Sequence, residues 1–335
     1  MTPSFVFIVG RGRSGSTLLQ AMLDAHPDMA IPPETHLVAV LGRRRSTYER
    51  RSGFDLDRFL KDVTEHWGFP ALGISPEELA EAVRGAGSTA DALRAAFSTY
   101  ARRWGKGRFG DKTPINVLHM PLIAGLFPEA RFVHIIRDGR DVALSYRDRR
   151  GVGLVEAAYR WRRDVRVGRR DGARLGPGRY REVRYEALVR DPEGVVRDLC
   201  PFLELSFDPR MLRPQEVAER VIPSSMRAWH PHLAQPPTEG LRSWQRQMPD
   251  GEVALFEAIA GDLLDELGYA RGHPSPGVGL RLAALGRVAG FQAERIFRRA
   301  VRRWVRPQRR WHGQDQETEP VGRAAATRHN VGTDR

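Results

Sequence analysis

The chain is poor in the residues that make covalent or metal cross-links. Cys200 is the only cysteine in 335 residues, which excludes an intrachain disulfide and any cysteine-built zinc or iron–sulfur centre. That count fits a reducing compartment. Lysine is nearly as scarce: Lys61, Lys106 and Lys112 stand among 54 cationic side chains, the rest being arginine. Long apolar runs are missing too. Phe5-Val-Phe-Ile-Val9 ends after five residues at Gly10, well short of the ~20 a membrane span needs. It also lacks the basic flank and longer core of a secretory signal. The expectation is a cytoplasmic protein with no spanning segment.

A hydrophobic share of 41% and a charged share of 28% belong to a folded enzyme-like chain rather than a disordered one. The length suits one α/β domain with insertions. The net charge of +13 invites a nucleic-acid reading, but ten arginines and one acid, Glu294, lie between Arg281 and Arg310. That segment carries +9 and the other 305 residues share +4. The basicity belongs to a C-terminal appendage, so no nucleic-acid partner is expected.

Phe5 to Val9 reads as a strand buried on both faces, followed by a glycine-rich turn and a helix from Ser16 to Ala25. Further strands are expected at Arg131–Ile136 and Tyr180–Tyr185, each leading into a helix, the second at about 192–203. Strands alternating with helices call for a parallel sheet. Residues 37–108 show helical patterns near 55–66, 76–84 and 89–104 and read as a helical insertion. Residues 250–267 form a late amphipathic helix. Beyond 270 a basic helix puts Phe297, Ala300, Val301 and Trp304 on one face, and residues 308–335 have a disordered composition.

Gly10-x-x-x-x-Gly15-Ser16-Thr17 is nearly a P-loop, with Ser16 where the Walker lysine belongs. Without that lysine, ATP hydrolysis or kinase chemistry loses its reach to the β/γ-phosphates. The anion cradle survives: backbone N–H groups at a helix N-terminus, the Arg13 cation, and the hydroxyls of Ser16 and Thr17.

Gly12-Arg-Ser-Gly-Ser-Thr-Leu18 resembles the 5′-phosphosulfate loop of sulfotransferases that use 3′-phosphoadenosine-5′-phosphosulfate (PAPS). Arg137-Asp-Gly-Arg-Asp-Val-Ala-Leu-Ser145 resembles their 3′-phosphate motif, and Phe109-Gly-Asp-Lys-Thr-Pro114 the motif before their second core helix. Asp24-Ala-His-Pro-Asp28 followed by Pro33-Glu-Thr35 is similar to the branch containing tyrosylprotein sulfotransferases and their bacterial relatives. The resemblance covers most of residues 5–268. It implies a P-loop-like three-layer α/β fold with a central parallel sheet, a sulfotransferase domain over 1–270 with the 37–108 insertion on the acceptor side, and a basic helical extension over 271–307.

It also implies roles. Gly12, Arg13, Ser14, Gly15, Ser16, Thr17 and Leu18 would hold the 5′ end of PAPS, and Arg137 and Ser145 its 3′-phosphate. Tyr185 and Trp244 would lie near the nucleotide, although the residues around Trp244 depart from the family pattern. Arg13 and Lys112 would stabilise the transferred group and the leaving phosphate, and Glu34 would be the general base with His36 as rival. No metal is expected: the leaving group is a phosphate already held by the loop, and the histidines are scattered. Arg140 could assist or face solvent, and Asp138 and Asp141 suit the first turn of a helix. The partner would be a small-molecule or peptide hydroxyl acceptor. The basic helix could rest on an anionic membrane surface or pack on the domain or a second subunit. A P-loop kinase or NTPase, or a non-catalytic nucleotide-binding membrane-associated module, are the alternatives.

Overall fold

Alternation along the first strand sets the layers. In β1 (Val6–Gly10) every residue is buried. Phe7 and Val9 join one core together with Phe5, whereas Val6 and Ile8 join another. This period of two marks a strand covered on both faces. The computed structural model describes residues 4–222 and 243–305. The other strands are β2 (Met29–Ala30), β3 (Glu49–Arg50), β4 (Gly53–Phe54), β5 (Arg108–Lys112), β6 (Arg131–Ile136) and β7 (Tyr180–Arg184). Five of them form one parallel sheet in the order β2-β5-β1-β6-β7. The chain is an α/β protein with helices on both faces of that sheet, as the sequence implies.

Two of the five strands go beyond the sequence reading. β2 is only two residues long, and β5 reads Arg-Phe-Gly-Asp-Lys, a composition that suggests a loop. Its Asp111 and Lys112 are nonetheless buried, so hydrogen bonds and charge must stand in for apolar packing. The expected insertion therefore ends where β5 begins, at Arg108. It also contains the small antiparallel β3–β4 pair besides its helices at Leu37–Arg43, Leu56–Thr64, Pro76–Val83 and Thr89–Arg103. These helices cover the Phe5/Phe7/Phe132 face. One of them starts with a reciprocal capping box between Ser75 and Glu78. Helices Ser16–Asp24 and Pro192–Phe202 cover the opposite face. The strand expected to reach Tyr185 stops at Arg184, and Tyr185 opens the next helix.

A helix over Leu154–Leu175 was hidden from the sequence by its arginines. It approaches the sheet through glycines: a Cβ at Gly168 would lie 2.5 Å from the His134 ring, and one at Gly172 2.4 Å from the Tyr180 ring. Against this helix and helix Asp250–Glu266 packs the C-terminal helix Val278–Val305. Of the apolar face expected there, Phe297 and Val301 are exposed. The Trp304 side chain and residues 306–335 lie outside the described parts.

Candidate active site

The sheet order places a crevice. From β1 the chain moves to β2 and β5 on one side, whereas β6 and β7 lie on the other. The carboxyl ends of β1 and β6 flank this switch point, where open α/β sheets bind ligands. Their register pairs Gly10 with Ile135, so the turn after Gly10 and the turn after Ile136 emerge side by side.

The first turn is built around residues without side chains. Gly15 has φ 93° and opens helix Ser16–Asp24, whose first turn carries no side-chain cap. A Cβ on Gly15 would lie 2.3 Å from the Tyr185 ring, and one on Gly12 2.5 Å from the Tyr146 hydroxyl, so both approaches require glycine. Arg13 itself takes a left-handed φ of 70°, a cost that the surrounding contacts must offset, and its Nε donates to Ser145 Oγ at 3.0 Å. Ser14, Ser16 and Thr17 are buried, Leu18 partly so. The Ser14 Oγ is buried without a hydrogen-bond partner.

Beyond β6, the Arg137 guanidinium lies over the Tyr185 ring at 4.3 Å and pairs with Asp141 at 3.3 Å, while its buried Nε has no hydrogen-bond partner. Tyr185 thus lies against both motifs, at Gly15 and at Arg137. Ser145 is engaged by Arg13 rather than by Arg137. Arg140 does not face solvent: it is buried, bonded to Asp138 at 2.7 Å and Glu257 at 2.6 Å. Asp138 is the N-cap of helix Gly139–Arg150. Trp244 stacks on Arg140 at 3.6 Å and donates its backbone N–H to Asp141, so it and Arg137 share Asp141 as a partner.

The second wall comes from β5 and the loop after β2. Lys112 Nζ donates to Glu34 Oε1 at 2.7 Å, and His36 Nε2 stands 3.5 Å from Glu34 Oε2. Burial works to raise the Glu34 pKa, but the Lys112 ammonium and His36 outweigh it and hold the carboxyl well below the usual carboxylate range. The Glu34 side chain keeps about a third of its surface, 36%. Beneath it, buried Asp111 accepts from Thr35 Oγ1 at 3.0 Å, Thr113 Oγ1 at 3.1 Å and Asn116 Nδ2 at 2.9 Å. Burial raises the Asp111 pKa to about 6, against the pull of these hydrogen bonds. Thr113 Oγ1 also accepts from the His36 backbone N–H at 3.4 Å. One carboxylate therefore ties the loop that carries Glu34 and His36 to the strand that carries Lys112.

The sequence reading did not see this network. Nor did it see the ring of Trp67, which lies 4.8 Å from His36 and 5.5 Å from His66 and is 49% exposed. It also missed Arg11, which pairs with buried Asp164 at 3.2 Å and sits over Tyr146. Asp111 stands inside a quoted motif, so its polarity in a buried strand was the available signal; Trp67 carried none. Among the described residues no group of three or more His, Cys, Asp or Glu could hold a metal ion.

The sheet and its paired strand-end turns define an open α/β fold with a ligand crevice at its switch point. The chain belongs to the sulfotransferase family, whose profile matches residues 3–209. It is similar to the protein-tyrosine sulfotransferase of Drosophila melanogaster, 27% identical over 276 residues, 79% of this chain and 51% of that one. Protein-tyrosine sulfotransferase A of Caenorhabditis elegans is 25% identical over 83% of this chain and 70% of its own length. The chain thus spans about half of the fly relative and more of the worm one. Among solved structures, the sulfotransferase domain of the Synechococcus olefin synthase has a TM-score of 0.58 and 26% identity, covering 80% of this chain and 96% of that domain. The sulfotransferase domain of the curacin biosynthetic pathway matches in fold, with a TM-score of 0.58 at 22% identity over 80% of this chain and 99% of that one.

Proposed function

We propose that the donor is PAPS and that the acceptor is a ring-bearing hydroxyl compound, small molecule or peptide. The observation that carries the reading is the Tyr185 ring held between Gly15 and Arg137, which joins two anion-directed turns in one crevice. A donor with phosphate groups at both ends of an adenosine needs two such turns. The orphaned polar atoms agree: the buried Arg137 Nε and Ser14 Oγ both lack partners, and each would be satisfied by a phosphate oxygen. The 5′-phosphosulfate would lie on the N–H groups of residues 12–17, with Arg13 beside it, and the 3′-phosphate on Arg137 and Ser145.

In the transfer the acceptor oxygen forms a bond to sulfur while the bond from sulfur to the 5′-phosphate oxygen breaks. The electron pair of that bond leaves with adenosine 3′,5′-bisphosphate, and the acceptor proton passes to Glu34. Lys112 has two tasks in sequence. Before the donor binds, it holds Glu34 ionised. Once sulfuryl oxygens are near, its ammonium turns to them, and Glu34, relieved of its partner, becomes the stronger base. Arg13 cannot release a proton, so it stabilises charge only. His36 sits between Glu34 and the Trp67 ring, where it supports the carboxylate.

Two observations favour a ring. Trp67, flanked by His36 and His66, offers an exposed aromatic ledge next to the base, and the relatives are named for tyrosine acceptors. The test is to incubate the purified protein with sulfur-labelled PAPS and matched phenols, sugars and aliphatic alcohols. Label should move to ring-bearing hydroxyls and adenosine 3′,5′-bisphosphate should be released. Tight binding of the bisphosphate with no transfer to any acceptor, or turnover of ATP instead, would end the reading.

A further inference from the structure

The C-terminal helix has two apolar faces, and the described residues cover one of them. At 3.6 residues per turn, Leu280, Ala284, Val288 and Phe291 share the inner side. Ala284 is buried in the core, with Leu280 and Val288 against it, and the Phe291 ring meets Tyr159 at 5.8 Å. On roughly the opposite side stand Val278, Leu282, Leu285, Ile296, Phe297 and Val301, all exposed, Leu285 by 66% and Phe297 by 68%. Small Ala289 and Ala293 continue the stripe between Leu285 and Ile296. So many large apolar side chains along one helix mark a contact surface rather than scattered exposure.

We propose that this outward stripe rests the protein on an anionic lipid surface, the helix lying in the interface plane. The charge selects that occupant. The segment from Arg281 to Arg310 has ten arginines and the single acid Glu294, and Arg281, Arg287 and Arg298 are exposed on the helix outside that stripe. An apolar face with an arginine-rich polar face is the pattern of interfacial helices, and each arginine near an anionic surface adds attraction. A second copy would set one +9 segment against another, which disfavours a paired helix. No helix among the described residues is long and apolar enough to cross a membrane, so the helix lies on the bilayer rather than through it. The inner face meanwhile fixes its direction against the enzyme, which would hold the catalytic domain in a set pose over the surface.

The experiment needs no knowledge of the acceptor. The full chain is sedimented with vesicles of phosphatidylcholine alone and with vesicles that also contain phosphatidylglycerol. Binding to the anionic vesicles, weakened by salt, is expected. Leu285→Glu and Phe297→Glu should each reduce it about tenfold or more, and Arg281→Ala about fivefold. Both faces are distinct, so thermal unfolding should stay within a degree or so of the parent for these exposed substitutions. Equal binding to both vesicle types would overturn the proposal, as would unchanged binding in the two Glu variants. A dimer in sedimentation velocity that dissociates on Leu285→Glu would assign the stripe to a second copy instead.

Discussion

The two walls of the crevice are made in different ways. The donor wall consists of short strand-turn-helix units, in which glycine lets an aromatic ring come close and arginine lies on that ring. Its residues are buried or partly buried, and each turn is encoded within about ten residues. The base wall, named for the proposed role of Glu34, is assembled across the chain: Lys112 meets Glu34 from 78 positions away, and Asp111 meets Thr35 from 76. It depends on a buried carboxylate holding two segments in register. Damage to the donor wall should therefore appear in donor affinity. Damage to the base wall should appear in turnover or stability.

The sharpest test of that division uses Glu34 and has the largest expected effect. Glu34→Gln keeps the shape and removes the proton acceptor, so turnover should fall by about 10²–10⁴-fold with the bisphosphate affinity unchanged by calorimetry. His36→Ala should lose much less. If His36→Ala fell as far as Glu34→Gln, the imidazole would be the base and the wall would have to be read around it.

Asp111 comes next, and here two substitutions diverge. Asp111→Ala strands the donors of Thr35, Thr113 and Asn116 and should cost about 2–4 kcal/mol in denaturant unfolding, with a matching fall in turnover. Asp111→Asn can keep both threonine bonds, and a turn of the Asn116 amide would offer it the Oδ1 that now lacks a partner. At about pH 4, where the folded parent still carries the proton, it should stay within about 1 kcal/mol of the parent, and above about pH 6 it should exceed it. The pH dependence gives a second readout. Burial raises the folded pKa of Asp111 from 3.8 to about 6, so its charged form is disfavoured in the fold. Its contribution declines as pH rises from about 4 to about 6 and is flat above, a loss of about 3 kcal/mol. The Asn variant should lack that slope.

These two walls were not equally legible in the sequence. The loop from Gly12 to Leu18 and the run from Arg137 to Ser145 could be read because their chemistry is local: glycines where backbone must approach, cations and hydroxyls at a helix start. The all-apolar strand β1 and the largely apolar β6 were legible for the same reason. By contrast, β5 hides because its burial rests on partners brought from the loop after β2. A hydropathy pattern cannot show that an aspartate will be solvated by two threonines and an asparagine. Helix Leu154–Leu175 was masked by arginines that pair with acids on other elements, such as Arg162 with Asp262 at 2.6 Å. Glu34 and Lys112 were each named from their motifs, but their 2.7 Å contact appears only once β5 is a strand beside β2.

On the donor wall, Arg137→Ala should weaken the bisphosphate about 10- to 100-fold, the worth of a charge-assisted phosphate contact. Turnover at saturating donor should change little. Weakened binding by the same factor in Glu34→Gln would dissolve the distinction between the walls.

The smallest effect probes what Tyr185 does there. Its ring lies 4.3 Å from the Arg137 guanidinium, and a Cβ on Gly15 would reach a ring carbon within 2.3 Å. Both approaches are to the ring, not to the hydroxyl. Tyr185→Phe should accordingly leave bisphosphate affinity unchanged. Tyr185→Leu keeps apolar bulk but removes the quadrupole under the guanidinium, a loss of about 0.5–1 kcal/mol, or roughly two- to fivefold in affinity. The same Leu variant in an Arg137→Ala background should then have no further effect, since the cation it would have steadied is gone. A full additional loss in the double variant would mean that the ring acts on the nucleotide directly, and the donor wall would owe its strength to stacking rather than to a positioned arginine.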